Sequence, residues 1–442
     1  MMNTNGGRLM GETAKSVITC DLDGKIETFN EGAQAMFGYS DDEAIGRLRV
    51  SAFSPGEVVL GHVVNWLATA VKEGKFEGDT VFLRKDGTPF PAHIKITPTF
   101  ANNAETGERE QIGYCGVTVP LEDVRIEDVQ PEIGPGTRIF KWLVIMRAPF
   151  LTATLIGVLT GAAAVFATTG SLPWGLLLLT LLGTSLLHLF ANTANDYFDW
   201  RSGTDQANTD YIVPFTGGSR SIELGLIKAP GLLRLALGLL VASVAVAALL
   251  MALRPSAIPA MVAIGLIAAL FSLFYTAPPV RLAARMGLGE LAVGLAFGPL
   301  LTLGTATVLR GELVWTDALY GLVPGLLTAA ILWINEFPDI QGDRAAGKLT
   351  LVAALGWETA RGGYVGLMLA TALSVVGLIA AGLAPVWALA AFLAAPLAIK
   401  ATRVLYSTRV PAALKPACAA TIQLQMAAGF LFAVGVALAA VL

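Results

Sequence analysis

Two acidic stretches carry the oxygen-rich side chains from which chemistry can be built. The first runs Phe190-Ala-Asn-Thr-Ala-Asn-Asp-Tyr-Phe-Asp199, and in it Asn192, Asp196 and Asp199 fall at i, i+4 and i+7. On a helix of about 3.6 residues per turn that spacing brings the three side chains onto one face. The second runs Trp333-Ile-Asn-Glu-Phe-Pro-Asp-Ile-Gln-Gly-Asp343, with Asn335, Asp339 and Asp343 at i, i+4 and i+8, again on one face. Pro338, inside that stretch, is expected to kink or end the helix near the cluster. Clustered carboxylate and amide oxygens, without His or Cys, favour Mg²⁺, which takes oxygen ligands and bridges a few carboxylates to the phosphates of a substrate. A diphosphate leaves readily only when its developing charge is neutralised, and basic side chains share that work with a metal. Lys348, Arg344, Arg147 and Arg281 are the basic candidates. Solvated helix caps would account for either acidic stretch alone but not for its repetition. Arg147 and Arg281 serve equally well as markers of membrane topology.

The elements that must position these motifs are membrane helices. The chain has 442 residues, 55% hydrophobic and 14% charged, whereas a soluble domain has about 45–50% apolar and about 25% charged residues. The excess begins near residue 139, and nine apolar stretches follow, at about 142–168, 172–196, 231–253, 256–275, 287–308, 316–337, 362–382, 385–406 and 417–441. Each is near the roughly 20 residues needed to cross a bilayer. The acidic motifs fall at the ends of the second and sixth, where ionisable groups are costly and therefore presumptively functional. Loops after the second, fourth, sixth and eighth stretches hold twelve Lys and Arg residues, while the opposite loops hold Arg254 and Arg310. The positive-inside rule then puts the basic loops, both motifs and the N-terminal region on the cytoplasmic side of the inner membrane.

Composition also excludes several classes. A net charge of -3 leaves no electrostatic footprint for nucleic acid. Cys20, Cys115 and Cys418 are scattered and form no C-x-x-C pair, so neither a disulfide framework nor a zinc site is expected. The opening MMNTNGGRLMGETAKS lacks an apolar core, so no cleavable signal peptide is expected.

The first 135 or so residues read as a soluble α+β domain. Residues 17–30 hold two strand-like alternations around the turn Asp23-Gly24, a helical stretch follows at 31–46, and three more strand candidates lie within 74–100 and 110–119. Asn30, the Phe37-Gly38-Tyr39-Ser40 segment with Glu43 and Gly46, and the Arg84-Lys85-Asp86-Gly87 hairpin occur in the order found in PAS domains, and residues 12–122 resemble that family. The resemblance implies a sensor with a small-molecule ligand. The flavin-adduct Cys signature is missing; His62 is weighed as a haem ligand against an ordinary packed histidine, and Cys20 and Cys115 as core residues against redox switches. Residues 123–137, rich in Pro, Gly and acidic residues, are expected to form a linker.

Residues 138–442 resemble the UbiA superfamily of intramembrane prenyltransferases, whose two Asp-rich motifs occupy the same places in a nine-helix bundle. The resemblance implies an all-α polytopic membrane bundle preceded by a small α+β PAS-like domain. It implies an enzyme that moves a prenyl group from prenyl diphosphate to an aromatic acceptor, with Mg²⁺ as cofactor. By motif, Asn192, Asp196, Asp199, Asp339 and Asp343 become metal ligands, and Asp196, Asp199, Asp339, Asp343 and Lys348 catalytic. Asn192, Asn195, Asn335, Arg147, Tyr275, Arg281 and Arg344 become substrate-binding. Tyr275-Thr-Ala-Pro-Pro279, Gly287-Leu-Gly-Glu290, Phe297-Gly-Pro299, Gly203-x-Asp205 and Gly217-Gly218-Ser219 resemble the 1,4-dihydroxy-2-naphthoate prenyltransferases of menaquinone synthesis. The Arg-Thr and Arg-Pro signature of 4-hydroxybenzoate enzymes is missing, and Asn-Glu-Phe-Pro-Asp departs from the commoner lead-in to the second motif. The alternatives are another aromatic acceptor, such as 4-hydroxybenzoate, or a PAS-coupled membrane receptor or transporter without catalysis.

Overall fold

A computed structural model describes residues 15–102, 107–212 and 215–441. The opening residues, including most of the stretch read for a signal peptide, lie outside the described residues. The chain divides into two compact units: one extends to Trp142 and takes in Ser221–Ile227, and the other comprises Leu143–Arg220 and Lys228–Leu442.

In the first unit, strands β1 (Ser16–Asp21), β2 (Ile26–Phe29), β3 (Phe76–Leu83), β4 (Pro89–Asn102) and β5 (Arg109–Pro120) form one sheet. Its order is β2-β1-β5-β4-β3, and the neighbouring pairs are antiparallel. The turn into β2 is set by Asp21, whose Oδ1 accepts from the N–H groups of Asp23 and Lys25, and by Gly24 at φ 82°. Helix α1 (Glu31–Phe37) starts at Asn30, whose Oδ1 accepts from the Ala33 and Val17 N–H groups and so ties the helix to β1. Phe29, Phe37, Phe53, Phe82 and Phe90 fill the space under the sheet with Ile18, Ile26 and Met36. Cys20 belongs to the core, where burial pushes its thiol up to about 12; burial also raises Cys115. The His62 Nε2–H donates to the Glu132 carbonyl at 3.0 Å. Residues 123–137, expected as a linker, therefore make contact with this unit, and they include the helical turn Ile126–Val129. Ser221–Ile227 also packs within it: a Cβ on Gly56 would stand 2.2 Å from the Leu224 carbonyl oxygen.

In the second unit, nine helices among the described residues are long and apolar enough to cross a membrane. They run Ala148–Thr169, Trp174–Ser202, Ala229–Leu253, Pro255–Phe274, Leu288–Arg310, Asp317–Ala345, Leu351–Ala380, Val386–Ser407 and Pro411–Ala440. Three differ instructively from the sequence reading. The second continues to Ser202, nearly two turns beyond its apolar stretch, and closes at Gly203, φ 80°. The sixth passes through Pro338 to Ala345. Proline forfeits a single hydrogen bond there, while Ile334 and Phe337 pack with Val352, Tyr364 and Leu405 and hold the helix together. The seventh begins at Leu351, capped by Thr350, and breaks at Gly356 (φ 75°), where the sequence reading had started it beyond the break.

The fifth and sixth spans approach through glycines. A Cβ on Gly298 would lie 2.4 Å from the Gly321 carbonyl oxygen, and one on Gly325 would lie 2.4 Å from that of Gly294. Small residues of this kind let backbones meet where lipid gives no hydrophobic drive. Gly298 leaves helical geometry (φ −106°, ψ −106°) just before Pro299, which bends the fifth span beside the sixth.

Candidate active site

The second and sixth spans both carry their acidic motifs past the apolar stretch on unbroken helix, so the spacing read from sequence survives as a shared face. Between them lies a cavity of about 600 Å³. One end is polar and includes Asn192, Asp199, Asn335, Asp339, Asp343 and Lys348. The other is walled by aliphatic side chains such as Leu240, Val244, Met261, Ile264 and Leu300 from the third, fourth and fifth spans.

Lys348 joins the two motifs. It follows the turn at Gly347 (φ 67°), and its Nζ lies 3.7 Å from Asp199 Oδ2 and 3.7 Å from Asp343 Oδ1. Burial alone would lower the ammonium, but Asp199 and Asp343, followed by Tyr275 and Asp339, outweigh it and hold the group well above the ordinary lysine range. Lys348 is therefore cationic throughout the neutral range.

The first motif is held from two sides. Arg147, at φ 52° before the first span, places NH1 3.7 Å from Asp196 Oδ1 and donates from NH1 to Asn195 Oδ1 at 3.4 Å. Asn195 donates in turn to Asp199 Oδ2 at 3.2 Å, and Asn192 donates to the Met146 carbonyl at 3.1 Å. The Ser219 N–H donates to Asp196 Oδ2 at 3.1 Å. Asp196 is 4% exposed and sits behind the residues that line the cavity.

The loop after the second span supplies groups that spacing did not reveal. Asn208 donates to Asp339 Oδ1 at 2.7 Å, linking the loop to the second motif. Arg220, one of the twelve basic loop residues that set topology in the sequence, donates to the carbonyls of Asp205 and Asn208 and lies 3.8 Å over the Tyr211 ring. Burial, then the charges of Asp199 and Asp196, push the Asp205 carboxyl up to about 8. A Cβ on Gly218 (φ 75°) would stand 3.0 Å from Asp196 Oδ1 and 3.6 Å from Asp205 Oδ1, so glycine leaves that approach open. Nothing in the periodicity marks Asn208 or Arg220, since both act through folding of a polar loop. Glu336 and Glu290, quoted above only within motifs, are also buried, each an ionisable residue within an apolar span.

Tyr275 and Asn335 line the cavity, but two arginines do not. Arg344 donates from Nε to the Ala353 carbonyl at 2.8 Å, so it braces the start of the seventh span instead of facing substrate. Arg281, at φ 47° in the loop before the fifth span, is likewise outside the lining. Sequence spacing cannot distinguish a basic residue that turns into the cavity from one that caps a helix beside it.

The donor set fits a hard cation. Asp196 Oδ1 and Asn335 Oδ1 are buried without hydrogen-bond partners, which leaves oxygen lone pairs available. Among the described residues, no three His, Cys, Asp or Glu side chains converge closely enough to hold a metal by themselves. A cation at this end would therefore draw further oxygens from amides or from a bound phosphate, the habit of Mg²⁺.

The chain is similar to known proteins over both of its regions. Residues 154–424 match the UbiA prenyltransferase family, and residues 14–109 match a PAS domain. The 1,4-dihydroxy-2-naphthoate octaprenyltransferase of Mycobacterium tuberculosis is 32% identical over 258 residues, covering 55% of this chain and 83% of that protein. The Escherichia coli protein of the same name is 28% identical over 299 residues, covering 67% of this chain and 94% of its own. A UbiA homologue from Archaeoglobus fulgidus, solved with DMAPP and Mg²⁺, is 19% identical with a TM-score of 0.46, covering 66% of this chain and 99% of that one. The family match takes in both acidic motifs and the lysine that joins them, and the chain belongs to the UbiA prenyltransferase family.

Proposed function

We propose that this enzyme transfers a polyprenyl group from prenyl diphosphate to 1,4-dihydroxy-2-naphthoate. The observation that carries the reading is the convergence of both motifs on Lys348 at the polar end of an otherwise apolar cavity. A diphosphate suits the polar end and an isoprenoid tail suits the aliphatic one. The lean to a naphthoate rests on the Tyr275–Glu290 segment and on the named relatives.

In this reading, the allylic C–O bond breaks and its electron pair leaves on diphosphate. A ring carbon of the acceptor supplies the pair for the new C–C bond, then loses the proton or carboxyl group it carried. Bound Mg²⁺, held by Asn192, Asp196, Asp199, Asp339 and Asp343, would neutralise the diphosphate as charge develops. Lys348 adds a fixed positive charge at the same place, and Arg147 and Asn195 orient the first motif. Asn208 and Ser219 fix Asp339 and Asp196 through their hydrogen bonds. The aliphatic walls exclude water from the allylic cation, which would otherwise be quenched to an alcohol.

The distribution of Lys and Arg supports an inner-membrane protein whose active site and N-terminal domain, residues 12–122, face the cytoplasm. That domain is proposed to regulate the transferase in response to a small molecule. The test of function is mass spectrometry of products from the purified protein, offered naphthoate or hydroxybenzoate acceptors with prenyl diphosphates of several lengths. Prenylated naphthoate product is expected. Product from 4-hydroxybenzoate alone would replace the acceptor assignment, and no prenylated arene would overturn the reading.

A further inference from the structure

The second motif carries one acidic side chain that the metal-binding pattern does not use. Glu336 follows Asn335 and stands seven residues before Asp343, so on the helix it points along nearly the same line. It lines the cavity, is 6% exposed, and its Oε2 has no hydrogen-bond partner. Glu290, from the fifth span, meets Glu336 carboxyl to carboxyl, and its Oε1 also accepts from the Leu351 N–H at 2.6 Å. Glu290 is thereby tied to the start of the seventh span. Beyond its contact with Glu290, Glu336 keeps one oxygen, Oε2, without a partner inside the cavity.

A buried carboxyl oxygen without a donor is unfavourable unless a ligand supplies one. Of the two substrates, a prenyl diphosphate has only accepting oxygens and brings no donor. A hydroxyarene brings O–H donors. Tyr275, an aromatic side chain lining the same cavity and sharing Lys348 and Glu336 as electrostatic neighbours, offers a face for an aromatic ring. We infer that Glu336 is the acceptor-binding residue, its Oε2 accepting a hydrogen bond from a ring hydroxyl of the aromatic substrate, with Tyr275 against the ring. That bond orients the ring and raises electron density at the carbon that attacks. The inference rests on the prenyl-transfer reading above and adds to it the place where the acceptor is gripped.

The test uses the full-length protein, geranyl diphosphate, and either 1,4-dihydroxy-2-naphthoate or its mono-O-methyl ether. KM for each substrate and the Mg²⁺ half-saturation are measured for wild type, Glu336→Gln and Glu336→Leu. Glu336→Leu should raise the naphthoate KM up to about tenfold, as expected for the loss of one hydrogen bond. Geranyl diphosphate KM and Mg²⁺ half-saturation should not move, and the preference for the free hydroxyl over its ether should shrink. Glu336→Gln keeps an accepting oxygen and the side-chain shape, so it should recover part of the loss. It also carries the test if the leucine variant fails to show Mg²⁺-dependent binding of geranyl diphosphate in a thermal-shift assay. A parallel rise in geranyl diphosphate KM or Mg²⁺ half-saturation would assign Glu336 to the diphosphate and overturn the inference, as would an unchanged naphthoate KM in both variants. A wild-type protein that transfers geranyl to no arene fails at the earlier step and overturns the proposed function itself.

Discussion

The two units handle charge in opposite ways. In the N-terminal unit most ion pairs lie at the surface, among them Lys85 with Glu43, Lys75 and Lys95 with Glu77, and His93 with Asp79. Its core is aromatic and aliphatic. In the membrane unit Asp196, Asp199, Asp205, Glu290, Glu336 and Asp343 are all buried. Surface charges cost little and contribute little, whereas buried ones must be compensated. Burial alone does not identify function, however. Asp317 is buried too, yet both its oxygens accept from Arg310 at 3.1 Å. Asp199, Asp205, Glu336, Asp339 and Asp343 are set apart by lining the cavity.

Removing an acid from each motif should break this contrast most severely. Asp196→Ala or Asp339→Ala should lower Mg²⁺-dependent prenyl transfer by about two to three orders of magnitude, the scale for losing a pre-organised electrostatic group. Product formation measured with and without EDTA checks this, and wild-type rates in both variants would refute the mechanism.

A medium effect should appear in stability against pH. Asp205 titrates at about 8 in the folded chain against 3.8 for an ordinary aspartate, so the folded state holds its proton more tightly. Its contribution is fully present below about 4 and is lost as pH rises towards 8. In EDTA, melting temperatures should therefore fall more steeply across that window for wild type than for Asp205→Asn. Identical slopes would show that Asp205 ionises without cost.

Deleting residues 1–130 should have a smaller effect on chemistry: a folded, Mg²⁺-dependent transferase with a rate changed several-fold. The deletion removes Gly56, against which Leu224 packs, so the loop holding Ser221–Ile227 loses its support while the acidic motifs stay whole. Turnover and prenyl diphosphate binding are measured together, and normal binding with no turnover would make the N-terminal unit part of the catalytic machinery. Smallest of all, Glu43→Gln breaks an exposed pair with Lys85 and should leave the transfer rate unchanged.

How much could be read in advance depended on the range of the interaction. The α+β order of the first unit was legible because Asn30, Gly24 and the strand alternations act within a few residues. The linker was less so: its Pro- and Gly-rich composition describes local stiffness, but the bond from His62 to Glu132 spans 70 residues. Pro338 misled for the same reason, since its local cost is met by packing with the seventh, eighth and ninth spans.

By itself the sequence determined the apolar spans, the acidic faces at i, i+4 and i+7 or i+8, and the oxygen-only chemistry they can support, because helical periodicity and side-chain type are local properties. Tertiary structure decided which of those groups meet. It placed Lys348 between Asp199 and Asp343, and it brought Asn208 to Asp339 across 131 residues of chain. It turned Arg344 to the Ala353 carbonyl and left Glu336 with an oxygen facing the cavity. Such outcomes depend on how helices pack and where loops return, and backbone contacts as close as those of Gly298 with Gly321 and Gly325 set that packing between residues far apart in the chain.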